Sequence, residues 1–61
     1  MKKFNILIIE KNALLALKRK KSIEKMGFYV LDYATNSLRA KEILENNNVH
    51  LILMDINLGE E

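Results

Sequence analysis

The sequence predicts an α/β fold: a three-stranded parallel sheet with strand order 2-1-3, built as strand–helix–strand–helix–strand. Three observations carry this expectation. The short apolar run Phe4–Ile9, without polar alternation, fits a strand covered on both faces, as in parallel sheets, and Val49–Met54 reads as a further strand. Helix start and stop signals lie between the strand-like segments. Alternation of strands and helices then demands crossover connections and so a parallel sheet. Right-handed crossovers that put helices on both faces give the order 2-1-3.

Each element follows from its residues. Phe4 to Ile9 (FNILII) is nearly all apolar and rich in isoleucine. Asn12 can cap a helix over about 13–26, and Gly27 supplies a left-handed stop after Met26. Its inward stripe runs through Leu15, Ile23 and Met26 and passes close to Arg19 and Ser22, so polar residues interrupt it. The long stem of Arg19 can carry its charge out of the core. Tyr29 to Ala34 (YVLDYA) combines aromatic and β-branched residues and reads as the second strand. Asn36 or Ser37 opens a second helix to about Glu45, with Ala40, Ile43 and Leu44 on one face. Asn46 to Asn48 form a loop, and Val49 to Met54 (VHLILM) the third strand.

The chain has 61 residues, about half of a typical domain, so no more than one domain is expected within it. A chain this short buries only about 60% of its unfolded surface, which leaves a single core marginal. Small domains often add disulfides or structural metals. With no cysteine and one histidine, neither a disulfide scaffold nor a zinc knuckle is open to it. No apolar stretch reaches the roughly 18 residues of a membrane span, and the short run after Met1-Lys2-Lys3 ends in Glu10-Lys11 instead of a cleavage site. A cytoplasmic protein is expected, without membrane contact.

The net charge of +2 hides a split. Residues 1–26 carry eight basic against two acidic residues, a net of +6, and residues 27–61 two against six, a net of −4. The run Lys18-Arg19-Lys20-Lys21 accounts for half of the basic residues in the first part. It reads either as the solvated face of an amphipathic helix or as a patch for nucleic acid or an acidic partner; the first is expected. Neither GxGxxG nor GxxxxGK[ST] follows the first strand, which counts against nucleotide binding.

In the order 2-1-3, strands one and three are neighbours, and a crevice opens at their carboxyl ends, where open sheets bind ligands. Strand one ends in Glu10 and strand three in Asp55. Neighbouring strands lie about 4.8 Å apart, so these carboxylates can share one proton or one hard cation such as Mg²⁺. An aspartate so placed can also act as a nucleophile toward a phosphoryl group. The other possibility is that both residues mark the return of buried strands to water. His50 begins strand three, about 16 Å from the crevice at ~3.3 Å per residue, and is expected to be structural or exposed.

ILIIE at 6–10, MGFYV at 26–30 and LILMDINLG at 51–59 closely resemble the receiver domain of two-component response regulators. The resemblance covers the whole chain and implies the flavodoxin-like fold truncated to its first half, so that residues 1–61 are a partial receiver domain of three strands and two helices. It implies that Asp55 is the phosphoacceptor, fed by the phosphohistidine of a sensor histidine kinase. It also implies that the Asn57 backbone carbonyl helps hold Mg²⁺ and that Glu10 is the first member of the acidic pair. No turnover enzyme is expected, and no catalytic residue beyond Asp55.

Lys11 departs from the family pattern, which has a second acid there that ligates Mg²⁺ directly. The expectation is weakened Mg²⁺ binding, with the Lys11 ammonium partly replacing the cation beside Asp55; otherwise Lys11 points to solvent. The family's later hydroxyl residue and lysine fall beyond residue 61. Two readings therefore stand: a phosphoacceptor switch, or a degenerate receiver serving only as an interaction or oligomerisation module. With half a sheet, the third strand would be an exposed apolar edge, so a homo-oligomer through that edge is expected.

Overall fold

A computed structural model describes residues 4–54. The elements are β1 (Ile6–Ile9), α1 (Ala13–Lys25), β2 (Val30–Ala34), α2 (Ser37–Asn46) and β3 (Leu51–Met54). The three strands form one parallel sheet in the order β2-β1-β3, as the alternation predicts. β1 is central, and its side chains divide between two cores. Ile6 and Ile8 pack with Val30, Ile23 and Tyr33 on the α1 face, whereas Leu7 and Ile9 pack with Ala34, Ala40 and Ile43 on the α2 face.

Local signals set the helix ends. The Asn12 side chain accepts the Leu15 N–H at 3.1 Å, and the Asn36 side chain accepts the Arg39 N–H at 2.8 Å, so Asn36 and not Ser37 caps α2. α1 ends as the glycine predicts: Gly27 has φ +97°, its N–H bonds to the Glu24 carbonyl, and the Phe28 N–H reaches the Ile23 carbonyl. This paired bonding satisfies carbonyls that the helix end would otherwise leave open. α2 ends without glycine. Instead, the Asn46 and Asn47 side-chain amides donate to the Glu42 and Ile43 carbonyls at 2.8 and 3.1 Å.

The structure corrects several boundaries. Phe4 and Asn5 precede β1, Tyr29 precedes β2, and Val49 and His50 precede β3. Phe4 lies edge-on against the His50 ring, with centroids 5.9 Å apart, so the pair closes the end of the sheet and does not extend it. Between Ile6 and Leu7 the β1–β2 register slips by one residue, moving the partner from Val30 to Asp32. That irregularity re-phases β2, so Leu31 and Ala34 both reach the α2-side core despite their odd spacing.

The inward stripe of α1 is also corrected. Ala16 is its buried residue and Ile23 packs on the core, while Leu15 and Met26 are exposed. Leu44 of α2 is likewise exposed. All three line open grooves toward β3, where no described element continues the sheet. α1 and α2 both pack on β1 and β2, leaving β3 with its four apolar side chains exposed.

Candidate functional site

Glu10 directly follows β1 at its carboxyl end, and its backbone N–H donates to the Ala34 carbonyl at 2.9 Å. That bond carries the β1–β2 ladder one residue further. Glu10 is the buried charged residue of the described chain, with 7% exposure. Its Oε2 accepts the Asn12 N–H at 3.1 Å, so the carboxylate also sits at the positive end of α1. Oε1 is buried and accepts no hydrogen bond, and the nearest described cation is Arg19, whose Nε lies 3.6 Å away. An ionised carboxylate at this depth is strongly destabilising unless paired, and the guanidinium supplies the opposite charge.

Arg19 comes from the second turn of α1 and lines a groove of about 510 Å³ between α1 and β3, with Ile8, Leu15, Ile23, Leu53 and Met54 among its walls. It thus covers the space beside the end of β3. The polar interruption of the α1 stripe was the sequence signal for this contact, but only the packing of α1 over β1 reveals its partner.

β3 pairs in register with β1, Ile9 opposite Met54. The ends of the two strands are therefore level, as the proposed crevice requires. Asp55 and Asn57 lie outside the described residues. Lys11 is exposed and lines a different groove, on the α2 side with Ile9, Thr35, Lys41 and Met54. Its relation to Asp55 falls outside the described residues as well.

The described residues do not fit Mg²⁺. Among them, no group of three His, Cys, Asp or Glu side chains could hold a metal ion. The described carboxylate at the crevice, Glu10, has one oxygen on a backbone amide and the other against a guanidinium, where a hard cation wants several oxygen donors.

The remaining candidates take structural places. His50 is exposed at the opposite end of β3, and its Nδ1 accepts the Asn5 N–H at 3.0 Å. Asn5, which sequence reasoning passed over, is the node there. Its carbonyl accepts the His50 and Leu51 N–H groups, and its side chain donates to the Asn48 carbonyl at 2.7 Å. Within the basic run, Arg19 faces Glu10 and Lys20 pairs with Glu24 at 3.1 Å, so two of the four charges are directed at carboxylates of the chain itself. No helix among the described residues is long and apolar enough to cross a membrane.

No family model matches the chain, and neither the curated proteins nor the solved structures give a significant match.

Proposed function

We propose that the chain is the phosphoacceptor part of a flavodoxin-like receiver domain, located in the cytoplasm and taking a phosphoryl group on Asp55 from the phosphohistidine of a sensor histidine kinase. One observation carries this reading. Glu10 is buried at the carboxyl end of the central strand, and Met54, the residue before Asp55, pairs in register with Ile9. Ligand sites of open parallel sheets form at such a pair of strand ends.

In the transfer, an Asp55 carboxylate oxygen attacks phosphorus, and the O–P bond forms as the N–P bond breaks. The imidazole nitrogen keeps the electron pair of that bond and takes a proton from water. The acyl phosphate carries about −2 where the carboxylate carried −1, a net gain of about one negative charge at the crevice that an output partner can read. The chain is a switch and not a turnover enzyme. Incubation with a small phosphodonor, read by intact mass, tests this. An adduct of about 80 Da in the parent chain, absent from Asp55→Asn, supports the switch, and no adduct removes it.

A second reading rests on a different observation: all four residues of β3 are exposed although all are apolar. It makes the chain an oligomerisation module whose occupant is a second copy, β3 meeting β3 antiparallel about a two-fold axis. Such pairing satisfies the open strand edge and covers apolar surface in both copies. Sedimentation of a dimer that becomes a monomer in Ile52→Lys, with unchanged helical content, supports it. A monomer in the parent chain rejects it.

A further inference from the structure

We propose that the Arg19 guanidinium is the resident cation of the crevice, occupying the Glu10 carboxylate and holding divalent cations away from it. The inference deepens the phosphoacceptor reading and rests on it for the crevice's purpose, although the cation contact itself stands independently.

Glu10 is more than nine-tenths buried, and its Oε1 accepts no hydrogen bond. A carboxylate oxygen in that condition needs positive charge nearby, and Arg19 Nε at 3.6 Å provides it. The other oxygen is already engaged by the Asn12 amide, so the carboxylate has both oxygens directed at partners within α1 and its cap. A divalent ion approaching Glu10 therefore meets a positive charge 3.6 Å from Oε1. It would have to displace that charge before gaining the carboxylate.

Arg19 suits this role through its chemistry and its position. A guanidinium is less strongly hydrated than an ammonium, so it tolerates a half-buried setting. Its side chain is 44% exposed while that of Glu10 is 9% exposed, so the stem spans from solvent to the buried acid. Lys11 lines the groove on the α2 side. The described cation beside Glu10 thus comes from α1, two turns into the helix, and not from the neighbouring position in sequence.

Mn²⁺ binding, followed by the loss of the free-ion EPR signal, tests the proposal without reference to phosphorylation. The parent chain is expected to bind Mn²⁺ no tighter than millimolar, and Arg19→Gln about tenfold tighter or more. Adding Glu10→Gln to Arg19→Gln should abolish the gain. Equal binding by the parent chain and Arg19→Gln overturns the proposal. Glu10→Gln alone provides a test that needs no Arg19 variant: unchanged weak binding supports the proposal, whereas tight parent binding lost in Glu10→Gln overturns it. Phosphodonor labelling separates the two readings. Labelling of the parent chain at Asp55 that requires Mg²⁺ overturns the resident cation and leaves the phosphoacceptor standing. Absence of labelling in every variant, with Mn²⁺ binding gained in Arg19→Gln, leaves the resident cation and removes the phosphoacceptor.

Discussion

β1 and β3 are chemically almost the same strand. ILII pairs with LILM residue for residue, in parallel and without a slip. Their surroundings are opposite. Ile6, Leu7 and Ile8 are at most 2% exposed, while the four residues of β3 range from 37% to 55%. β1 has a strand on each side and a helix-bearing core on each face. β3 has β1 on one side and no described neighbour on the other. Burial is therefore set by position in the strand order and not by hydropathy. The comparison also shows two ways of holding a strand. Packing on both faces holds β1, whereas β3 depends on its ladder to β1 and on the bonds centred on Asn5.

The largest test of this contrast exchanges a side chain for alanine on each strand at one register position. Leu7→Ala is expected to destabilise the fold by about 2–5 kcal/mol, because a fully buried side chain leaves a cavity. Ile52→Ala, directly across the ladder, should cost about 1 kcal/mol, since its side chain is only partly removed from water. Urea midpoints in dilute solution compare the two, and equal losses would break the distinction.

A smaller effect is expected at the Asn5 node. His50→Ala removes the acceptor of the Asn5 N–H and the edge contact with Phe4, a change of about 1 kcal/mol. It should speed amide exchange in β3 several-fold and leave the β1–β2 ladder unaffected. Uniform acceleration across the sheet would mean that β3 is not held separately. The smallest effect belongs to the helix surface. Lys20→Ala breaks the pair with Glu24 and should change stability by no more than about 0.5 kcal/mol, measured by thermal unfolding.

Particular residues show how far the sequence can be read. Asn12 and Gly27 mark the ends of α1 through interactions within a few residues, so they were legible as such. The strand order followed from alternation and handedness. The slip opposite Asp32 had no sequence signal, because it depends on how two strands settle against both helices. The exposure of Leu15, Met26 and Leu44 was equally hidden, since periodicity identifies an apolar stripe but not how much of it the sheet beneath can cover. At the crevice, Glu10 was found from its place at a strand end. Its partner was not, because Arg19 lies two turns into α1 and is adjacent to Glu10 only in space.

The sequence alone thus determined the element order, the caps of α1, the central place of the isoleucine-rich strand and the acid at its end. These rest on local hydrogen bonding and on the period of apolar residues. Only the tertiary structure decided which cation faces Glu10, where β2 slips and how open β3 remains. Those depend on distances between segments far apart in the chain, and no local pattern encodes them.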